Sequence, residues 1–165
     1  MRLAFASHER LLVLTESDDE EVSLEVITPG EGKSQRYSLG VQGASVVRSV
    51  DQSRVAVGAE DGSLVIVDLE REMIHVAPGP AQSFLYGLEV SRDRKALLVT
   101  RLLRTGGVRC TLADAKFGHD ILELSAGPVR VLGAGFLADG EGVVMVGADQ
   151  SYHVWRAEPE STKED

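Results

Sequence analysis

The chain reads as an all-β protein of about four consecutive antiparallel blades, each a sheet of three to four strands. Three observations predict this. The stretch Arg54 to Asp68 (Arg-Val-Ala-Val-Gly-Ala-Glu-Asp-Gly-Ser-Leu-Val-Ile-Val-Asp) returns as Gly142 to Arg156 (Gly-Val-Val-Met-Val-Gly-Ala-Asp-Gln-Ser-Tyr-His-Val-Trp-Arg). Gly62, Gly106 and Gln150 follow one another at intervals of 44 residues, and a repeat near that length marks stacked four-stranded units. The apolar pattern has period 2 throughout, and glycine or charged turns cut every apolar run before a helix could span three turns.

The same order of elements recurs in each repeat. A first turn is read at Ser7-His8-Glu9-Arg10, Asp51-Gln52-Ser53-Arg54, Ser91-Arg92-Asp93-Arg94 and Ala138-Asp139-Gly140-Glu141. An apolar run follows each one: Leu11 to Leu14, Val55 to Val57, Ala96 to Val99 and Val143 to Val146. Turn residues bounding such runs make hairpins. A second turn lies at Ser17 to Glu21, Glu60-Asp61-Gly62, Arg104 to Gly107 and Asp149-Gln150. A third strand with clear alternation comes next, as in Ser63 to Asp68 and Ser151 to Trp155. Outer strands are read at Gln35 to Leu39, Glu72 to Val76 and His119 to Leu124, with junctions at Gly79-Pro80 and Gly127-Pro128. The blades so defined cover about 1–40, 41–80, 81–128 and 129–158. Residues 159–165 form an acidic, proline-containing tail with no apolar alternation, expected to be disordered. The fourth repeat therefore lacks an outer strand, and the count is about fifteen strands.

At 165 residues the chain fits one domain, and 43% apolar content with 17 glycines suits a turn-rich globular protein. A formal charge of -9 argues against a nucleic-acid or anionic-membrane binder, which needs a cationic face. Cys110 is the single cysteine, so no intrachain disulfide or cysteine metal cluster is possible. The amino-terminal apolar run is too short for a secretory signal and no stretch reaches membrane-spanning length. Cytoplasmic location is the resulting expectation.

Asp61-Gly62-Ser63 before Leu64 to Asp68, together with the terminal Val154-Trp155-Arg156, resembles a WD-repeat β-propeller, with arginine in the acidic place of that signature. The resemblance covers residues 1 to 158. Only one repeat has the tryptophan and none has the glycine-histidine pair at the expected place, so the family's Asp-His-Ser-Trp network cannot be assembled in any blade. The resemblance implies a non-catalytic protein-interaction or scaffold module. It also implies that Trp155, placed where the related blade has Val67, packs between neighbouring sheets.

Few residues offer chemistry. The four histidines, His8, His75, His119 and His153, fall one per repeat without zinc-site spacing. Gly133-Ala-Gly135-Phe-Leu-Ala138 mimics a dinucleotide fingerprint, but a valine-rich strand follows where a helix is required. Cys110 reads as a buried small residue, and the acidic run Glu16 to Glu21 as a solvated hairpin tip without calcium-loop spacing. No cofactor or metal is expected. The alternative to an interaction module is a propeller-type hydrolase or lactonase with a central-channel site. That reading requires inward polar residues at matching blade positions, and the chain has no asparagine.

The third repeat holds 7 of the 17 basic residues within 25 positions. Arg92, Arg94, Lys95, Arg101, Leu102, Leu103, Arg104 and Arg109 define a candidate interaction surface, since arginines beside apolar residues are typical interface anchors. A solvated, charge-protected edge is the other reading. The partners implied are other proteins, among them a second copy: a homodimer completing an eight-blade ring would cover the faces left open by half a ring.

Overall fold

The structure is a computed structural model that describes residues 2–6, 10–17, 21–124 and 130–156. Fifteen strands are present among these residues, grouped into four antiparallel sheets in sequence order. The first blade contains β1 (Arg2–Ala6), β2 (Arg10–Glu16), β3 (Glu21–Thr28) and β4 (Lys33–Gln42). The second contains β5 (Ala44–Ser49), β6 (Arg54–Ala59), β7 (Leu64–Asp68) and β8 (Met73–Ala77). The third contains β9 (Ser83–Val90), β10 (Ala96–Leu103), β11 (Val108–Asp114) and β12 (Asp120–Leu124). The fourth has β13 (Val131–Phe136), β14 (Gly142–Gly147) and β15 (Tyr152–Arg156), with no outer strand among the described residues. Apart from one 3-10 turn at Pro29–Glu31, helix is absent from the described residues. The Ser7-His8-Glu9 turn, Asp18 to Glu20, the Gly127-Pro128 junction and 159–165 lie outside the described residues.

Packing follows from alternation. In an interior blade both sheet faces must be apolar, and β7 is buried at all five positions. Val55, Val57, Val65 and Val67 face the first blade's Leu12, Leu14, Leu24 and Val26. Ala56, Leu64 and Ile66 face the third blade's Leu97, Val99 and Ala113. A third cluster, Leu98, Cys110, Leu124, Val131, Val143 and Met145, joins the third and fourth blades. The extensive contacts run from β1 to β5, from β5 and β6 to β9, and from β9, β10 and β11 to β13. None of comparable extent joins the fourth blade to the first among the described residues, so the blades form an open arc.

Turn chemistry explains the 44-residue period. Gly62, Gly106 and Gln150 all adopt left-handed backbone, at φ 85°, 85° and 67°. Each amide donates to the carbonyl three residues back, at 3.1, 2.8 and 3.1 Å. Aspartates stabilise these and the opposite turns by accepting backbone N–H bonds from residues just ahead: Asp51 from Ser53 and Arg54, Asp61 from Ser63, Asp93 from Lys95 and Asp149 from Ser151. Asp68 likewise accepts the Glu70 and Arg71 amides, and hydrogen bonding holds several of these carboxyls below the ordinary range, led by the Arg71 amide at Asp68 and the Ser91 hydroxyl at Asp93. At Asp51 burial pushes upward, but the Arg54 guanidinium and the Ser53 and Arg54 amides together outweigh it.

Arginines fasten the seams between blades. Arg10 donates to the Gln52 carbonyl across the first seam. Arg54, held by Asp51, donates to the Ala115 carbonyl at 2.9 Å across the second. At the other end of that second seam Arg101 is 1% exposed; its Nε donates to the Gly62 carbonyl at 2.9 Å and its Nη1 to Thr111 Oγ1 at 2.9 Å. Nη1 also meets both Asp120 carboxylate oxygens at 3.2 Å. This corrects the expectation that Arg101 belongs to an exposed surface. It lies on one strand face with Leu97 and Val99, and alternation turns that face toward the second blade.

Three outcomes test this account. Gly106→Ala should cost about 1–2 kcal/mol from left-handed strain alone, because an added Cβ would meet nothing within 4 Å. Gly62→Ala should cost about 1–3 kcal/mol more, since its Cβ would lie 2.0 Å from Ser83 Oγ; urea denaturation of both variants gives the difference. By the same measurement Arg101→Met should lose about 3 kcal/mol by stranding Asp120, Thr111 and the Gly62 carbonyl, and exposed Arg104→Met less than about 0.5 kcal/mol. For acid, Asp51 has its folded pKa depressed, so its contribution is complete above the unfolded value and lost as pH falls through the folded one. Urea midpoints should therefore fall on acidification below about pH 4, and Asp51→Asn should flatten part of that fall.

Candidate interaction surface

The structure divides the basic residues of the third blade instead of gathering them. Arg92, Arg94 and Lys95 are exposed in the β9–β10 turn. Arg104 is exposed in the β10–β11 turn, at the opposite end of β10, beside exposed Leu102 and half-buried Leu103. An eight-residue strand separates the two groups by roughly 25 Å. Arg109 lies mid-sheet in an ion pair with Glu123 at 2.8 Å. The first group joins exposed Lys116, whose ammonium sits 4.8 Å from the Phe117 ring centre. Phe117 in turn meets His75 of the second blade edge to face at 5.0 Å.

The other chemical candidates have structural settings. His153 shares a 3.0 Å hydrogen bond with Ser151. His75 and His119 flank Phe117, while His8 lies outside the described residues. No cluster of three or more His, Cys, Asp or Glu able to hold a metal occurs among the described residues. Cys110 is buried, and that burial pushes its thiol upward, away from the reactive thiolate. Gly133 and Gly135 lie in the innermost strand β13. Glu89 is the one acidic residue on β1, β5, β9 and β13, and it accepts the Phe136 amide at 3.2 Å. A cavity of about 670 Å³ at the rim between the first two blades is lined by Arg10, Thr28, Glu31, Lys33 and Glu70. Its Lys33 and Glu31 pair with each other at 2.8 Å.

The fourth blade exposes apolar side chains on the face that the second blade buries, which sequence reading does not single out. Val144 pairs with Val154 and Val146 with Tyr152. In the second blade the equivalent pairs are Ala56 with Ile66 and Gly58 with Leu64. Leu64 and Ile66 are 0% exposed, whereas Tyr152 and Val154 are 73% and 54% exposed. Leu132 is exposed as well. The repeat pattern carries the signal: Tyr152 and Val154 stand at the positions where the second blade has buried Leu64 and Ile66.

Trp155 departs from expectation. It pairs with Val143 as Val67 pairs with Val55, so its register is the expected one. It is nevertheless 42% exposed, not packed between sheets. Val67 has Ile74 of β8 beside it, while no strand lies outside β15 among the described residues.

No helix among the described residues is long and apolar enough to cross a membrane. No protein-family model matches the sequence, and no curated protein matches it. Solved structures do share its architecture. One is the C-terminal WD40 domain of Sif2, superposing with a TM-score of 0.63 at 18% identity over 90% of this chain. The chain spans 43% of the length of that domain. Four antiparallel sheets stacked in sequence order, matched to less than half of a WD40 ring, make this chain a partial WD-like β-propeller.

Proposed function

We propose that the chain is a non-catalytic protein-interaction module that completes its ring by self-association, as a head-to-tail homodimer of eight blades. The observation that carries this reading is the contrast between buried Leu64 and Ile66 and exposed Tyr152 and Val154 at equivalent positions. At the other end, half-buried Leu11 and Ile27 and buried Val13 share with Glu25 the face of the first blade turned away from the second. Two identical contacts between these end faces close under two-fold symmetry. The dominant free-energy term is the roughly 25 cal/mol per Å² gained as apolar surface leaves water.

Further protein contacts in this reading use the exposed basic residues. Arg92, Arg94 and Lys95 form one contact point for an acidic partner, and Arg104 with Leu102 and Leu103 a second at the opposite end. The net charge of -9 disfavours nucleic acid and anionic membranes, and the lone buried thiol suits the cytoplasm. A channel hydrolase is disfavoured because Glu89, the single acid of the innermost strands, is engaged by Phe136.

Size-exclusion chromatography with light scattering should give twice the 17.7 kDa chain mass. Tyr152→Glu should return the chain to 17.7 kDa with unchanged far-UV circular dichroism, because Tyr152 supports no fold within one copy. A monodisperse monomer at high micromolar concentration, or a dimer indifferent to Tyr152→Glu, would refute the arrangement.

A further inference from the structure

In the first two blades the arginine that opens the second strand ties its blade to the next: Arg10 donates to the Gln52 carbonyl and Arg54 to the Ala115 carbonyl. Arg54 is aimed by a carboxylate of its own blade, its Nε lying 2.9 Å from Asp51 in the first turn. The fourth blade repeats this arrangement with one exchange. Gly142 stands in the place of Arg54 and Arg156 in the place of Asp68, since Gly142 pairs with Arg156 as Arg54 pairs with Asp68. A side chain at 142 is excluded, because its Cβ would lie 2.2 Å from the Trp155 carbonyl oxygen and 3.2 Å from Arg156 Cγ. The Arg156 stem passes beside that gap instead. Its Nη1 donates to Asp139 of the fourth blade's first turn at 2.9 Å, with Glu141 at 3.8 Å. Alternation along β15 puts Arg156 on the same face as Tyr152 and Val154. Where the next blade is present, the Arg54 and Asp51 side chains are 23% and 19% exposed; those of Arg156 and Asp139 are 56% and 41% exposed.

We propose that Arg156 is the seam arginine of the fourth blade, and that its acceptor is a backbone carbonyl in the β3–β4 turn, Pro29–Glu31, of a second copy. This rests on the head-to-tail ring proposed above and names the contact that sets its alignment. A guanidinium can keep Asp139 on one N–H and turn another toward the neighbouring blade, as Arg54 does with Asp51 and Ala115. Ala115 opens the turn between the third and fourth strands of its blade, and β3–β4 is the corresponding turn of the first blade. The one carboxylate of that turn, Glu31, is held by Lys33 at 2.8 Å, which leaves carbonyl oxygens as the acceptors. In this arrangement Tyr152 and Val154 supply adhesion between the end faces. Arg156 fixes how far one face slides on the other.

Dimer dissociation constants of the full chain and its variants, measured by sedimentation equilibrium, test the contact. Arg156→Met should weaken the dimer by about tenfold or more, because a charged hydrogen bond across the seam is lost. Arg156→Lys should recover little of that loss, since one ammonium does not serve Asp139 and a carbonyl in two fixed directions. Glu31→Gln should leave the affinity unchanged. In the Tyr152→Glu chain, Arg156→Met should leave the urea midpoint unchanged, as an exposed ion pair contributes little within one copy. A dimer that Tyr152→Glu dissociates but Arg156→Met does not overturns this assignment and leaves the ring standing; an unaltered chain that stays monomeric overturns both. Full affinity in Arg156→Lys, or a loss in Glu31→Gln equal to that in Arg156→Met, assigns Arg156 to a carboxylate and overturns the carbonyl contact. A lower urea midpoint when Arg156→Met is added to the Tyr152→Glu chain gives Arg156 a role within its own copy, and that too overturns the proposal.

Discussion

A sheet stacked between two others has no face to turn toward water, and this requirement governs the interior of the arc. The second blade meets it by giving up strict apolar-polar alternation: Leu64-Val-Ile-Val67 is apolar on both faces, the pattern of doubly covered strands. Polar residues are displaced to the turns, where aspartates satisfy the backbone that the strands leave open. The position of charge along the chain is thus a consequence of stacking.

Apolar faces alone define how blades adhere, not how far one slides on the next. The second seam is fixed at both ends by guanidinium groups reaching carbonyls of the neighbouring blade, Arg54 at Ala115 and Arg101 at Gly62. A planar group with several donors in fixed directions suits this task better than a lysine ammonium. The Gly62 turn is shaped for it. A side chain there would strike Ser83, and one at Gly79 would strike the Gly62 carbonyl that Arg101 uses. The third seam lacks an equivalent arginine at the start of β10, where Ala96 stands in the place of Arg54. There the Glu89 carboxylate takes the Phe136 amide instead.

Strand positions and turns were legible because they rest on local chemistry. The three residues at 44-residue spacing share one left-handed turn, even though the last is glutamine. The fates of particular side chains were less legible, because they depend on neighbours distant in sequence. Arg101 looked like one member of a basic cluster, yet counting by twos from Leu97 and Val99 places it on a covered face. Its acceptors, Gly62 and Asp120, come from another blade and another strand. The hairpin sets the register of Trp155, so that part is legible, while its exposure depends on which strands flank β15. The basic cluster dissolved for a geometric reason: residues near in sequence occupy opposite ends of one long strand.

Among the described residues every strand ladder joins strands consecutive in sequence. Backbone pairing within a blade thus has short loops to close, so its entropic cost is small and its formation fast. During synthesis each blade can finish its ladder as soon as its own residues leave the ribosome, before the next blade exists. The same wiring lets such a chain grow or shrink by whole blades, since adding or removing a unit rewires no existing sheet. Duplication of a roughly 44-residue unit is then a sufficient route to the length seen here.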